Sequence, residues 1–248
     1  MADGPLERAL ELLSQIAQDP RPITVPELAE RAGMPTSTTY RLLAELRRHG
    51  LVQTDGRRAV SLGTRVVALG RSAEERLREL LVEPAEPIME RLSRERGETV
   101  ILTAPCGPEA IVLGVVETEQ RVRLSYASYR RAPIHLGASG KILAAFLEEP
   151  DRERLLAALG EPQLRACLDE IRARGWCLTA GEVDLGVSAV AAPILDRRRR
   201  LLAGLSVAGP SERMADRGVA AHAAAVRDAA RAIEAALRLR EADRMVGV

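Results

Sequence analysis

Aromatic residues are scarce in this chain: one Trp, three Tyr and one Phe, 2% of 248 residues. That scarcity argues against single-strand or RNA recognition, which relies on aromatic platforms for stacked bases. Lysine is scarcer still: Lys141 is the only one, and arginine carries the rest of the side-chain positive charge. Cysteine is limited to Cys106, Cys167 and Cys177, widely spaced and without a C-x-x-C pair, which fits buried thiols in a reducing compartment. No apolar run approaches the ~18 residues of a membrane helix, and the acidic start is unlike a signal peptide, so a cytoplasmic protein with no membrane partner is expected. Net charge is only +1, so any nucleic-acid binding must be local to a patch. A hydrophobic content of 46% and a charged content of 29% describe a soluble globular protein of one large or two ordinary domains.

The richest stretch is VPELAERAGMPTSTTYRLLAELRRHG, residues 25–50. Two short amphipathic helical patterns meet there at Ala32-Gly33. In the first, Leu28 and Ala32 repeat at i, i+4, with small Ala29 where a second helix can cross closely. In the second, Thr39, Leu42, Leu43 and Leu46 share one face. Gly33 supplies the positive φ that a tight interhelical turn tends to need, and Pro35 suits a first helical turn. The opposite face of the second helix carries Ser37, Thr38, Arg41 and Arg48, flanked by Thr36 and Tyr40. These hydroxyl and guanidinium groups suit base edges and phosphate oxygens. The pattern is that of a helix-turn-helix; the plain alternative is a packed helix pair with a solvated polar face.

The residues just downstream favour the helix-turn-helix. Residues 51–54 and 58–62 read as two short strands around Asp55-Gly56, a dipeptide favoured in two-residue type I′ hairpins, giving a wing that carries Arg57 and Arg58. Between residues 31 and 65 seven arginines stand against Glu45 and Asp55, net +5, whereas residues 1–30 hold two arginines and six acids, net −4. Opposite signs so close together suggest one face turned to double-stranded DNA and one turned away. Upstream, Leu6, Ala9, Leu10, Leu12, Leu13 and Ile16 form an apolar helical face that would pack behind the reading helix. Thr24 and Glu27 have the spacing of a capping box.

Residues 64–81 keep a helical period through Val66, Val67, Leu69, Leu77, Leu80 and Leu81 before Pro84 and Pro87 interrupt it. This predicts a linker helix over 64–82, after a DNA-binding domain of residues 1–63; it carries dimer contacts or, equally, packs on its own domain. From Glu98 the period changes. Residues 99–104 and 110–116 are β-rich runs around Gly107-Pro108, and 122–126 read as a third strand. Helices are expected at 140–147, 151–159 and 162–174, then strands at 176–179, 188–195 and 201–208, and a long Ala/Arg helix over about 211–241. This order predicts an α+β sandwich around a mainly antiparallel sheet in a second domain of residues 83–248.

Gly137-Ala138-Ser139-Gly140-Lys141 stands between an extended segment and a helix. Such a turn exposes backbone N–H groups that hold a carboxylate or phosphate; the alternative is a tight packing turn. It is not a Walker loop, because Ile142 stands where Ser or Thr is required, nor a nucleophile elbow, which needs Gly at position 141. His49, His135 and His222 are scattered, and none has metal-ligand spacing from a cysteine, so no catalytic residue, metal or cofactor is expected. Cys106 reads as a solvent-facing turn thiol, Glu148-Glu149 as a solvated helix end, and His135 as a strand residue beside the anion turn. The 197–200 arginine run reads as a solvated hairpin turn rather than a second nucleic-acid patch.

In order along the chain, LERALELLSQIA, TVPELAERAGMPTSTTYRLLAELRRHGLV, VSLGTRVVALG, PIHLGASGKILAAFL, RGWCLTAGE, GVSAVAAPIL and LSVAGP resemble the IclR family of transcriptional regulators over nearly the whole length. The order and spacing of these segments are more specific than any one of them. The resemblance implies an N-terminal winged helix-turn-helix, a linker helix and a C-terminal GAF-like effector domain, an antiparallel sheet flanked by helices. It further implies homodimers that often pair into homotetramers, and a small-molecule effector, commonly a carboxylic acid or aromatic metabolite, that alters operator binding. Carried onto this sequence, the effector pocket includes Ala138, Ser139, Gly140, Thr179, Ala189, Val190 and Ser206, while Thr36, Ser37, Thr38, Tyr40 and Arg41 face DNA. There are departures. Many members with small polar effectors carry an acid near Thr179, a Cys at Ala189 and a second Ser at Ala208. The uncharged or apolar residues here point to a larger or more apolar effector, whose carboxylate, if any, meets the turn at residues 138–140. Thr39 also replaces the β-branched hydrocarbon usual inside the reading helix. The rival from another class is a small-molecule-processing enzyme on a GAF-like fold with an appended interaction module. It needs a catalytic cluster that the sequence does not assemble. A winged helix that binds protein instead is opposed by the clustered arginines.

Overall fold

The computed structural model describes residues 4–55 and 59–246, in two compact units that divide between Arg76 and Leu77. The first runs Pro5–Gln18 (α1), Ile23–Thr24 (β1), Val25–Arg31 (α2), Thr36–Arg48 (α3), Val52–Thr54 (β2), Ala59–Leu62 (β3) and, up to the boundary, Thr64–Leu77 (α4). Thr24 opens α2 as the capping box predicts: its N–H and hydroxyl both donate to the Glu27 carboxylate, at 3.0 and 2.6 Å. Those two bonds hold the Glu27 carboxyl below its usual range. Gly33 turns the chain at φ +60°, and Met34 N–H reaches back to the Ala29 carbonyl at 2.9 Å. Thr39, Leu42, Leu43 and Leu46 of α3 are all buried, in a core shared with Leu12, Ile16, Leu28, Val52 and Val60. The Thr39 hydroxyl donates to the Pro35 carbonyl at 3.2 Å, so its replacement of a hydrocarbon leaves no unpaired donor in the core.

Three local expectations change. In α1 only Leu12 and Ile16 are buried, while Leu6 and Leu10 are 72% and 53% exposed; the apolar face is wider than the core that receives it. The wing sheet has three strands in the order β1-β3-β2, because a two-residue strand at Ile23–Thr24, too short to show a period, pairs with β3. The hairpin closes on Asp55 N–H to the Ala59 carbonyl at 3.0 Å, with Ala59 N–H on Asp55 Oδ1 at 2.9 Å. Three residues therefore stand between the closing pair rather than two; Gly56, Arg57 and Arg58 themselves lie outside the described residues.

The second unit continues through a π-helical turn, Arg78–Val82, into Glu83–Arg96 (α5), Thr99–Cys106 (β4), Glu109–Val116 (β5), Arg131–Pro133 (β6), Gly137–Phe146 (α6), Glu149–Leu159 (α7) and Pro162–Arg174 (α8). Cys177–Ala180 (β7), Val187–Leu195 (β8), Leu201–Pro210 (β9), Ser211–Asp216 (α9) and Val219–Val246 (α10) complete it. Pro84 and Pro87 do not end the helix. Pro84 occupies its opening turn, and the turn before it widens, Glu83 N–H bonding the Arg78 carbonyl; a π-type turn is one way a helix passes a proline ring. The closing helix is split at Gly218, which adopts φ +78°.

Six strands form one antiparallel sheet in the order β6-β5-β4-β9-β8-β7. Strand alternation sorts their side chains. Val100, Leu102, Val190, Ala192, Leu205 and Val207 face a core with α5 and α10. Ile101, Ala189, Ala191 and Ala208 face the other side, part of which α6 and α8 cover. Residues 122–126 are not a strand. Arg123 and Ser125 bond the Glu117 carboxylate at 2.6 and 2.5 Å, folding the segment into a loop, and the edge strand is β6. Leu124 and Tyr126 of that loop still pack on Ile101, Val112 and Ala208.

Candidate nucleic-acid interface and ligand pocket

On α3 the face opposite the buried one presents Thr36, Ser37, Tyr40, Arg41 and Arg48 exposed and Thr38 half-exposed. The residues that the sequence singles out on α3 are thus brought together on one surface. Arg48 is held by Glu45, Nη2 to Oε2 at 2.6 Å, an exposed pair worth ~1 kcal/mol or less that a phosphate can replace. Arg65 donates to the His49 carbonyl at 3.1 Å. The side chains of Arg41 and Arg47 make no ion pair or hydrogen bond among the described residues. Arg41 is therefore a free guanidinium in the middle of the polar face. Arg57 and Arg58, expected on the wing, lie outside the described residues.

In the second unit the uncovered part of the sheet floors a cavity of about 100 Å³. Its walls come from the first turn of α6, from β4, β5, β7, β8 and β9, from Ala132 of β6 at the edge, from Tyr126 and Arg130 of the loop before β6, and from the loop of residues 182–184. Ala138, Ser139, Gly140, Thr179 and Ala189, all anticipated, line it. Ser206 lies behind the wall, fully buried, its Oγ 2.8 Å from Ser139 Oγ. Val190 does not line the cavity: it is one step along β8 from Ala189, so it points into the α5–α10 core. His135, half-buried after β6, is outside the wall as well.

The Gly-rich turn is itself the first turn of α6 rather than a loop ahead of it. A Cβ on Gly140 would stand 2.7 Å from the Ile134 carbonyl oxygen, so only glycine lets the helix start this close to the strand before it. An anion does sit at this helix N-terminus, and the protein supplies it. Glu182 accepts from Gly137 N–H at 3.3 Å and from Lys141 Nζ at 2.6 Å. The single lysine of the chain is thereby neutralised at the cavity edge. Near it, burial pushes the Cys177 thiol up to about 12, against the smaller opposing effect of Lys141 and Arg174; a thiol in that state is protonated at neutral pH and a poor nucleophile. Cys167 is half-buried and Cys106 exposed, so only one of the three free thiols is in a core. The arginines after β8 form a hairpin turn, as expected, in which Asp196 accepts from Arg198 N–H and Arg200 N–H, both at 2.8 Å.

Most of the cavity wall was not legible in the sequence. Ile101, Thr103, Val112 and Ala208 were recoverable from strand alternation once a face had been assigned. Tyr126, Arg130, Val183 and Asp184 come from irregular loops that carry no period, and only the folded chain shows them converging.

Comparison with known proteins agrees with both halves. Residues 5–56 match the IclR helix-turn-helix domain, and residues 77–235 match the bacterial transcriptional regulator IclR C-terminal domain. The chain is 35% identical to the HTH-type transcriptional regulator BhcR of Paracoccus denitrificans, over 91% of this chain and 84% of that protein. It is 31% identical to the transcriptional repressor IclR of Escherichia coli, over 92% and 88%. The crystal structure of an IclR transcriptional regulator from Silicibacter sp. TM1040 superposes with a TM-score of 0.76 at 26% identity, covering 94% of this chain and 96% of that one.

Proposed function

The chain belongs to the IclR family of transcriptional regulators, and from that premise we propose that α3 reads an operator while the cavity of the second unit binds the small molecule that controls it. The observation that carries the DNA half is the two-sidedness of α3: four core residues on one face, hydroxyls and a free Arg41 on the other. A helix of this kind enters the major groove with its first turns at the base edges, where Thr36, Ser37, Tyr40 and Arg41 stand; Arg48 and the wing arginines meet phosphate. A second copy of the chain is part of this reading. Leu6 and Leu10 of α1 and Val67 and Leu69 of α4 are exposed apolar side chains, and α4 buries no residue of its own. A homodimer covers such surfaces and sets two half-sites about one helical turn apart or at multiples. Pairing of dimers into tetramers follows the family.

The cavity supports an effector with an apolar body. At about 100 Å³ it is smaller than the ~150 Å³ cavity that accepts benzene, so the buried part is limited to a few carbons.

The test is binding to DNA flanking the protein's own gene, against random DNA, at two salt concentrations. A specific complex that weakens at higher salt is expected. Arg41→Ala is expected to cost about 1–3 kcal/mol on the operator alone, the worth of one good base contact. Equal loss on both DNAs would move Arg41 to the phosphate contacts. Equal weak binding of the wild-type chain to both DNAs would count against the operator assignment.

A further inference from the structure

Resting on the ligand reading of this cavity, we propose that it takes a small aliphatic α-amino acid: the hydrocarbon side chain enters the cavity, the carboxylate pairs with Arg130 and the ammonium with Asp184.

The floor and walls carry the hydrocarbon of Ile101, Val112, Ala189 and Ala208; of the wall hydroxyls, Thr103 donates to the Gly204 carbonyl at 3.3 Å, Ser139 pairs with Ser206 Oγ at 2.8 Å, and Thr179 adds one more. About 100 Å³ matches a branched side chain of about three or four carbons, given that benzene needs roughly half as much again. The charges at the rim supply the rest. Of the charged residues that line the cavity, Glu182 is already satisfied by Lys141 and Gly137 N–H. Arg130 and Asp184 remain, and neither side chain makes an ion pair or hydrogen bond among the described residues. The two are one cation and one anion. A plain carboxylate ligand would leave Asp184 facing its like charge, and an amine would leave Arg130 facing one.

The Arg130 side chain and the backbones of both loops are held in place. The Arg130 guanidinium lies over the Tyr126 ring, 5.1 Å from its centre. Its backbone is pinned to β5 on both sides, Val112 N–H to the Arg130 carbonyl at 3.0 Å and Tyr129 N–H to the Val112 carbonyl at 2.8 Å. Tyr129 takes φ +63° to make that turn, a conformation uncommon for a side chain of its size. Asp184 sits in a loop fastened by Val187 N–H to the Asp184 carbonyl (3.2 Å) and Gly181 N–H to the Val187 carbonyl (2.8 Å). Both charges reach the same phenol. Burial raises the Tyr126 hydroxyl, Asp184 raises it further and Arg130 opposes.

Isothermal titration calorimetry on the full chain tests this with L-valine, with 3-methylbutanoate (the same skeleton without the ammonium) and with isobutylamine (without the carboxylate). L-valine is expected to bind at least tenfold tighter than either. Arg130→Gln should weaken L-valine at least tenfold and tighten isobutylamine by removing a like charge; Asp184→Asn should weaken L-valine and tighten 3-methylbutanoate for the same reason. Both residues are exposed, so neither variant threatens folding. Ala189→Leu, or Ala132→Leu at the half-buried edge, should abolish all three by filling the space. If 3-methylbutanoate binds as tightly as L-valine and Asp184→Asn has no effect, the amino-acid assignment falls while the cavity stands. Binding insensitive to both filling variants overturns the cavity itself. No binding of L-valine or L-leucine at millimolar concentration overturns the proposal outright.

Discussion

His222 is fully buried in the first turn of α10, where Arg96 at the end of α5 donates Nε–H to its Nδ1 at 3.3 Å. Burial first, then the Arg96 and Arg217 guanidinium groups, hold its pKa below the ordinary histidine range; Glu98 and the Met214 carbonyl act the other way. A histidine whose folded pKa is depressed binds fewer protons folded than unfolded. The stability it permits is complete above the unfolded value of about 6.5 and is lost as pH falls toward the folded one. Urea unfolding followed by circular dichroism is therefore expected to show stability declining from pH 7 to 5, and His222→Gln to flatten that decline. An unchanged slope in the variant would place the acid sensitivity elsewhere. At this scale the sequence was a poor guide: a lone histidine in an Ala/Arg helix gives no sign that two arginines from other segments surround it.

At the scale of elements, glycine separates what a helix prefers from what its surroundings allow. Replacing a helical glycine by alanine gains about 1 kcal/mol where nothing intervenes. Gly70 in α4 is such a site, with no atom within 4 Å of an added Cβ, and Gly70→Ala is expected to stabilise by ~0.5–1 kcal/mol. At Gly140 the same Cβ meets the Ile134 carbonyl at 2.7 Å and the Pro133 carbonyl oxygen at 3.1 Å. Both are backbone atoms that cannot swing aside, so overpacking at about 1–3 kcal/mol outweighs the propensity gain. Gly140→Ala should thus lower the melting temperature of the chain while Gly70→Ala raises it or leaves it level. Matching shifts in the two variants would contradict the close approach at α6. Strong periods were legible here. The buried face of α3 and the bounds of Pro162–Arg174 are as the sequence predicts, whereas Ile23–Thr24 and the break at Gly218 are not, since two residues carry no period and alanine-rich sequence favours helix on both sides.

For the whole molecule, regulation requires that the ligand in the second unit and the operator on the first influence one another's affinity. Such coupling is a single free energy, so it is reciprocal. A ligand that weakens operator binding tenfold must itself bind tenfold more weakly to the operator-bound chain, a change of about 1.4 kcal/mol in either direction. Titrating the ligand into free and operator-bound protein measures this directly. Unequal factors would show that the two titrations do not report one equilibrium, such as a dimer dissociating during the measurement.

The sequence by itself determined the two-domain order, the helix-turn-helix with its polar face, the strand-rich second half and the Gly-rich start of α6. All of these come from local periods and from residues whose backbone or side-chain chemistry acts within a few positions. Tertiary structure decided the cavity. Val190 was placed in a core and Ala189 in the wall by which face of the sheet the helices cover. Glu182 reached the N-terminus of α6 across 45 positions from Gly137. Arg130 and Asp184 came to the same rim from loops that lie on opposite sides of α6 in the chain. Contacts of that kind depend on how the loops close over the sheet, and no local pattern of residues encodes them.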